Sequence, residues 1–340
     1  MTHGDAHALL VTHSGKFHCD EVFAYAVLRL ALGLGQPGED HRLLRTRDAR
    51  LIAEGDLVWD VGLIFDPARG RFDHHQRGAP LRPDGTPYSA AGLVWQQYGE
   101  RAVARLLGEG GDQPLAAAIA GELDETVLRR IDELDNGVSP RGPVLDDGLG
   151  LGHLVGDFNP PWHSAEATGP GAGDAAFLEA AAFAQGVLTR RVEQLRARFL
   201  AEAQVLEAQA RSADPRILVL ERGMPWKNPV FAKDLPVVFC VSPASNGNWM
   251  VDTMPPEKES FAQRVPLPAG WAGLEGDALV AATGVADAVF VHLRRFVAAA
   301  RSREGALAMA RHALEIAERE ADAAEPTTAP EWLAPRQSST

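Results

Sequence analysis

Four short stretches of the chain carry histidines and aspartates at spacings that could bind metal ions. The first is THSGKFHCDE at residues 12–21, and VWDVG, FDHHQ and ELDNG follow further along. Together they supply six candidate metal ligands: His13, His18, Asp20, Asp60, His74 and Asp135. A mixed set of imidazoles and carboxylates without cysteine suits Mn²⁺ or Mg²⁺, and also Zn²⁺ or Fe²⁺. The residue types therefore predict a site for divalent cations.

The number of candidate ligands indicates what such a site would do. A structural zinc site normally has four ligands and is closed. Six ligands indicate two metal ions about 3.5–4 Å apart, an arrangement that activates water and clamps a phosphoryl group during hydrolysis. A shared carboxylate is the natural bridge between the ions, and Asp60 is our candidate. The alternative is that these residues are scattered over surface and core without a shared role.

The first three stretches share one position, at the end of an apolar run that is typical of a β-strand. Strands are predicted at residues 8–12, 41–47, 56–62 and 70–75. Helices are predicted at 21–34, at 48–55, and from Ser89 as the N-cap of a third. This alternation predicts an α/β domain with a mostly parallel sheet flanked by helices. Ligands bind at the carboxyl ends of parallel strands, so the candidate residues should meet there.

The middle of the chain is predicted to be helical. Residues 114–135 form a helical pattern that stops at an Asn-Gly pair, with Asp132 and Asp135 on one helix face. Residues 152–163, rich in glycine and proline, indicate a loop. Residues 174–211 predict a helix long enough to bridge two domains or to pack in a homodimer.

A second, smaller α/β domain is predicted towards the C-terminus. It contains a hairpin at Asn246-Gly247 and closes with a helix at 302–320. The predicted organisation is a metal-binding catalytic domain at 1–165, a connecting helix at 166–212, a C-terminal substrate-binding domain at 213–320 and a disordered tail at 321–340.

Composition limits the class of protein. The 340 residues include 33 Lys and Arg against 46 Asp and Glu, a net charge of −13, which disfavours non-specific binding of long duplex nucleic acid. No apolar stretch is long enough to cross a membrane, and the N-terminus lacks the pattern of a signal peptide. The chain has two cysteines, Cys19 and Cys240, which fits a reducing cytoplasm. We therefore expect a cytoplasmic protein without a membrane partner.

The combined motifs resemble a known family. DHH at 73–75, with a preceding strand-end aspartate and the N-terminal histidine turn, is similar to the DHH phosphoesterase superfamily. More closely, THSGKFHCDE, VWDVG, FDHHQ, ELDNG, NPPWH, MPWKNPVF and REGALAMA resemble the melanocyte-proliferating-gene protein (Myg) family over about residues 8–318. The resemblance implies a DHH-type metal domain followed by a smaller substrate domain. It also implies a Mn²⁺-dependent phosphodiesterase, and 3′–5′ RNA exonuclease activity is attributed to the family's eukaryotic members.

The resemblance also implies a role for each candidate residue. It makes His13, His18 and Asp20 the first group of metal ligands, Asp60 the bridge, His74 the DHH ligand and Asp135 the last ligand. His75 would face the substrate phosphate, and Asp73 would orient an imidazole without binding the metal itself. The expected catalytic residues are therefore Asp60, His74 and His75.

This chain departs from the superfamily pattern at two places. Most DHH enzymes begin with His…Asp-x-Asp, and His18 replaces the first of those aspartates, which leaves the metal identity open. The C-terminal stretch VHLRRFVAAARSREG carries arginines and alanines where DHH enzymes often present a glycine-rich run with a histidine. Arg303 opens a predicted helix whose N-terminus favours an anion, so we predict that it binds substrate. Lys227 is a second candidate, and either side chain could equally be a solvated cation.

The residues predict a metal-dependent phosphodiesterase that uses two-metal hydrolysis, and the resemblance implies a 3′–5′ exonuclease that acts on RNA or short oligonucleotides. The alternative enzyme hydrolyses a small phosphate compound, such as a cyclic dinucleotide or pyrophosphate, which the acidic composition favours slightly. A metal-binding scaffold without turnover is a third hypothesis. The complete set of candidate ligands counts against it, because a site that had lost its activity would not need to keep every ligand. Cys19 lacks an activating partner and is predicted to be a small buried residue.

Overall fold

The computed structural model describes residues 7–108, 112–138 and 149–323. The chain divides into two compact units, Met1–Arg196 and Ala197–Thr340. This division falls inside the longest helix, Asp174–Ala210, and the domain ranges given above stay a prediction. Of the tail predicted at 321–340, residues 321–323 complete the last helix and the remainder lies outside the described residues.

In its described residues, the first unit is built on a five-stranded sheet. The strands are β1 (Ala8–Thr12), β2 (His41–Arg45), β3 (Leu57–Trp59), β4 (Phe65–Asp66) and β5 (Arg71–Phe72). Their order is β2-β1-β3-β5-β4, with every pairing parallel except that of β4 with β5. The predicted mostly parallel sheet is confirmed. The strand predicted at 70–75 is shorter than expected, and the edge strand β4 precedes it.

Helices flank this sheet. They are α1 (Cys19–Leu32), α2 (Ala49–Glu54), α3 (Ala90–Leu107), α4 (Gln113–Leu123), α5 (Arg129–Asp135), α6 (Leu151–Gly156) and the part of α7 (Asp174–Ala210) that precedes residue 197. A π-helical turn, Asp124–Leu128, joins α4 to α5. Residues 22–28 of α1 are fully buried, because a helix that is apolar on all sides needs neighbours on all sides. The loop predicted at 152–163 is partly wrong, since its first residues belong to α6.

The second unit has its own sheet and core. Its elements are β6 (Ile217–Val219), α8 (Lys227–Ala232), β7 (Phe239–Pro243), β8 (Trp249–Thr253), α9 (Gly276–Thr283), β9 (Ala288–Val291), β10 (Val297–Ala300) and α10 (Arg303–Ala323). In the described residues of this unit the strand order is β6-β7-β8-β10-β9, with β6 and β7 parallel and the other neighbouring pairs antiparallel. The predicted hairpin joins β7 to β8. Helix α10 packs on this sheet through small residues such as Ala306 and Ala310.

No helix in the described ranges combines the length and the apolarity that a membrane span requires.

Candidate metal centre

The central candidate residues directly follow three neighbouring parallel strands of the first sheet. Strand β1 ends at Thr12, β3 at Trp59 and β5 at Phe72. The next residues are His13, Asp60 and the Asp73–His75 run. Because β1, β3 and β5 are adjacent and parallel, these side chains emerge at one edge of the sheet.

Asp60 lies at the centre of the cluster. Its Oδ2 is 3.2 Å from His13 Nε2, and its Oδ1 is 3.2 Å from His74 Nε2. Burial opposes ionisation of this carboxyl, but the hydrogen bonds to the two imidazoles outweigh burial and lower the pKa of Asp60 to about 2. Its φ of 56° is in the left-handed region, which aspartate tolerates better than most residues. Each oxygen of Asp60 therefore faces a different candidate histidine ligand.

The N-terminus of α1 adds two buried carboxylates. Both oxygens of Glu21 accept the His18 amide at 2.9 Å, and Oε1 also lies 2.8 Å from His13 Nε2. Asp20 Oδ2 accepts the Ala90 amide at 3.3 Å, whereas Asp20 Oδ1 finds no donor among the described residues. Glu21 thus joins the cluster as well as capping the helix. An acidic residue three positions after an N-cap is already explained by capping, so the sequence alone does not mark Glu21 as a candidate ligand.

His18 and Asp135 lie at the rim of the cluster. Ligand atoms of His18, Asp20 and Asp135 all lie within 4.8 Å of one another, and so do those of His13, His18 and Glu21. Asp135 Oδ2 is 3.4 Å from His74 Nε2. The six predicted ligands are therefore brought together in one place, although their binding of metal stays a prediction.

His75 is held beside the cluster by Asp73. Asp73 Oδ1 accepts His75 Nδ1 at 2.7 Å, and Asp73 Oδ2 accepts the Leu63 amide at 2.5 Å. The hydrogen bond to Asp73 raises the pKa of His75 despite partial burial. The His75 side chain is 54% exposed, and its Nδ1 is 3.6 Å from Asp60 Oδ1. The structure therefore places an oriented, readily protonated imidazole between solvent and the carboxylates.

Two distant residues clamp the turn that carries His13 and His18. The Phe17 amide donates to Asn159 Oδ1, and Asn159 Nδ2 donates to the Phe17 carbonyl, both at 2.9 Å. Arg45 Nη2 donates to the Gly15 carbonyl. These contacts close the turn and fix the direction in which its two histidines leave the backbone.

The cluster fits a divalent cation. Oxygens of three buried carboxylates, Asp20, Glu21 and Asp60, lie within 4.8 Å of one another. Burial, together with the charges of Asp60, Glu21 and Asp135, raises the pKa of Asp20 well above its ordinary value. Burial disfavours a proton on His13, but hydrogen bonds to Asp60 and Glu21 raise its pKa to about 10. A bound cation would supply the positive charge that these acids lack, and imidazole with carboxylate suits Mn²⁺, Mg²⁺, Zn²⁺ or Fe²⁺.

Comparison with known proteins identifies the family. The family MYG1_exonuc, described as Uncharacterised protein family (UPF0160), matches residues 9–314. A MYG1 protein of Caenorhabditis elegans is 37% identical over 336 residues, which cover 92% of this chain and 96% of that protein. The MYG1 exonuclease of Homo sapiens is 34% identical over 327 residues, which cover 89% of this chain and 85% of that protein. This chain belongs to the MYG1 exonuclease family.

The resemblance to the Myg family that the motifs indicated is thereby confirmed. Membership of the MYG1 family places the chain among hydrolytic nucleases. Among solved structures, the crystal structure of exonuclease RecJ bound to manganese aligns with 92% of this chain and 90% of its own, at 18% identity and a TM-score of 0.26.

Two of the three predicted substrate residues of this MYG1-family chain, Lys227 and Arg303, lie in the second unit, whereas His75 lies in the first. Lys227 begins α8, with its ammonium group 5.6 Å from the centre of the Trp226 ring. Arg303 begins α10, and its Nη2 is 3.1 Å from Glu221 Oε1. The N-terminus of α10 already holds a carboxylate, because Asp287 Oδ2 accepts the amide of the preceding residue at 2.8 Å. The anion position that the sequence suggested for substrate is therefore filled by the chain itself, and the roles of Lys227 and Arg303 stay predictions.

Proposed function

We propose that this chain is a metal-dependent 3′–5′ exonuclease that hydrolyses phosphodiester bonds in RNA or short oligonucleotides. The observation that carries the proposal is the buried cluster around Asp60, one oxygen of which faces His13 while the other faces His74. The exonuclease name of its human relative supports the reaction class. The choice of RNA and of digestion from the 3′ end rests on the family resemblance.

Seven side chains would hold two cations: His13, His18, Asp20, Glu21, Asp60, His74 and Asp135. Divalent cations in such a site act as Lewis acids, which acidify water and offset the charge on a phosphoryl group. Mn²⁺ is our first choice, with Mg²⁺, Zn²⁺ and Fe²⁺ as alternatives. The carboxylate–imidazole pairs around Asp60 hold the site together before substrate arrives, so little reorganisation is needed for reaction.

His75 supplies the positive charge that the phosphate requires. Asp73 fixes its Nδ1 at 2.7 Å and favours its protonated form, so the imidazolium can donate to a phosphoryl oxygen from the exposed side of the cluster. Water adds to phosphorus, and the ribose oxygen leaves with a proton. Negative charge grows on the phosphoryl oxygens during this step, and His75 stabilises it.

A covalent enzyme intermediate is not part of the proposal. Cys19 lies between two candidate ligands, but burial first, and then the neighbouring carboxylates, raise the pKa of its thiol well above the usual range. A buried thiol that does not ionise is a poor nucleophile. Direct attack by water therefore remains the simplest route for this site.

The proposal is tested with metal-stripped protein that is then reloaded with Mn²⁺. RNA labelled at the 3′ or the 5′ end and a dinucleotide serve as substrates, and Asp60→Asn and His74→Ala serve as inactive variants. Asp66→Asn is the matched control, because Asp66 lies in β4 of the same sheet but outside the cluster. We expect laddering from the 3′ end in wild type and Asp66→Asn, and none in the two cluster variants.

Two other outcomes would replace the proposal. Cleavage of the dinucleotide alone would point to hydrolysis of a small phosphate compound, which the net charge of −13 also favours over long polyanions. Full Mn²⁺ occupancy without any hydrolysis would leave a metal-binding scaffold.

A further inference from the structure

Arg82 lies outside the cluster of candidate ligands, yet it is only 3% exposed and is surrounded by acids. Its Nε donates to Asp132 Oδ2 at 2.7 Å, while Nη1 and Nη2 donate to the two oxygens of Asp124 at 2.9 Å. The Tyr88 ring lies 4.7 Å from its Cζ. This planar, forked set of contacts suits a guanidinium group, and the single ammonium group of lysine cannot reproduce it.

The two acids that Arg82 binds lie on either side of an irregular helical turn. Asp124 begins the π-helical turn, and Asp132 lies in α5 directly after it. A π-helical turn inserts a residue, which changes the rotation of the helix that follows, and such turns often occur at functional sites. Asp135 is three residues beyond Asp132, so the two share a helix face. Arg82 thus contacts the first residue of the turn and the helix that follows it, and Asp135 at the end of that helix lies 3.4 Å from His74.

Asp132 also connects this network to the other side of the cluster. Its Oδ1 accepts the Ser89 amide at 2.9 Å and the Ser89 hydroxyl at 2.7 Å. The next amide, that of Ala90, donates to Asp20 Oδ2. A side chain at Gly92 would overlap the Asp132 carboxylate, so glycine is needed for α3 to approach α5 this closely. The first turn of α3 therefore links Asp132 to Asp20.

We propose that Arg82 is a positioning residue of the metal centre, which holds Asp135 and Asp20 in place through Asp124 and Asp132. Stability alone explains the network poorly, because a buried ion pair often contributes little compared with apolar residues of the same size. The position of two candidate ligands is a better explanation, since residues that orient metal ligands typically change metal affinity when they are replaced. The inference rests on the metal centre of the proposed function, and not on RNA as the substrate.

The test compares two arginines that contact the same π-helical turn. Arg129 binds Glu125 at 2.8 Å and 3.1 Å, but it is not a partner of Asp124 or Asp132. Arg82→Lys is the test variant, Arg129→Lys its matched control, and Asp124→Asn a second test in case the first does not fold. Urea unfolding in the presence of a chelator identifies the folded variants. The Mn²⁺ dissociation constant of each is then measured from the electron paramagnetic resonance signal of free Mn²⁺, without substrate.

We expect Arg82→Lys and Asp124→Asn to bind Mn²⁺ about 10- to 100-fold more weakly than wild type, and Arg129→Lys to bind it as wild type does. Folded test variants with wild-type affinity would overturn the proposal. So would an equal loss in Arg129→Lys, because that would indicate a general loosening of the turn. If wild type binds Mn²⁺ but hydrolyses no RNA, the proposed function fails while this inference is still decided by the dissociation constants.

Discussion

Replacing Asp20 by asparagine should stabilise the metal-free protein at pH 8. Asp20 is 1% exposed, its Oδ1 has no donor in the described part of the chain, and its Oδ2 accepts a single amide at 3.3 Å. Asparagine keeps an oxygen for that amide and removes the negative charge. The substitution is therefore expected to relieve repulsion without creating a cavity.

The expected increase in the free energy of unfolding follows from the distance between the carboxylates. Carboxylate oxygens of Asp20, Glu21 and Asp60 lie within 4.8 Å of one another. Two like charges at this separation repel by about 3 kcal/mol at an effective dielectric constant of about 20. Protonated His13 offsets part of the repulsion by pairing with Glu21 and Asp60. We therefore expect the free energy of unfolding of Asp20→Asn to exceed that of wild type by about 2–3 kcal/mol.

The gain should depend on pH. Burial and the neighbouring carboxylates raise the pKa of Asp20 above its value in the unfolded chain, so between these two pKa values the folded state keeps a proton that the unfolded state has released. Wild-type stability then falls as pH rises above about 4, by at most about 1.4 kcal/mol per pH unit. The pKa of Asp60 is lowered instead. Ionised Asp60 therefore stabilises the fold at both pH 5 and pH 8, and this stabilisation is lost only when stronger acid protonates it. The advantage of Asp20→Asn should thus be larger at pH 8 than at pH 5.

Urea unfolding with a chelator at pH 5 and pH 8 measures this difference. Asp66→Asn is again the control, and its stability should stay within about 0.5 kcal/mol of wild type. With saturating Mn²⁺, wild type should become more stable than Asp20→Asn, because metal binding stabilises the protein that keeps all its candidate ligands. A variant that is less stable than wild type at pH 8 without metal, or a difference that does not change with pH, would refute the reasoning.

Three further predictions concern protons and packing. His13, with a pKa of about 10, must release its proton to bind a metal ion. Calorimetric titration with metal at pH 8, in buffers of different ionisation enthalpy, counts the protons released on binding. His13→Gln should release one proton fewer than wild type. Asp73→Asn should lower the pKa of His75, because the hydrogen bond to Asp73 raises it. The His75 imidazolium is present only below this pKa. The fall of kcat/KM at alkaline pH should therefore move to lower pH in the variant. Gly305→Ala should lower the free energy of unfolding by about 1–3 kcal/mol, because its Cβ would overlap Asp287 Oδ1.

Each of these three predictions has its own control or contrary outcome. Gly121→Ala is the counterpart of Gly305→Ala, since in the described residues no atom beyond the neighbouring helix backbone lies within 4 Å of its added Cβ. Its free energy of unfolding should rise by about 0.5–1 kcal/mol from helix propensity. Equal proton release in His13→Gln and wild type would show that His13 is neutral before metal binds. An unchanged alkaline limb in Asp73→Asn would remove His75 from the proposed chemistry.

The convergence of the candidate ligands could be predicted because it depends on local patterns. Runs typical of strands end at Thr12 and Trp59, directly before His13 and Asp60, and the alternation of strands with helices implies parallel strands. Those two facts bring the side chains to one edge of the sheet. Asp135 became a candidate because it ends a predicted helix at an Asn-Gly pair, and its place as the last ligand was implied by the family resemblance.

What the sequence could not reveal depends on contacts between distant residues. Nothing near Arg82 in the sequence indicates that it binds acids 42 and 50 positions away. A π-helical turn has no recognisable sequence pattern, so Asp132 was assigned a helix face but no partner. Likewise Asp287 caps α10 from a different part of the fold. A helix start such as Arg303 therefore predicts an anion nearby without saying whether that anion is substrate or protein.

The clamp on the histidine turn has a consequence for the order of events during synthesis. Phe17 is held by Asn159, 142 positions later, and Arg45, which holds the same turn, also pairs with Asp174 at 3.2 Å. A ribosome makes the chain from its N-terminus, and domains generally fold as units. The histidines are therefore made early, but the clamp on their turn cannot close until residue 159 has left the exit tunnel. A nascent chain shorter than this carries several candidate ligands without the clamp on their turn, so we expect metal binding to be a late step of biosynthesis.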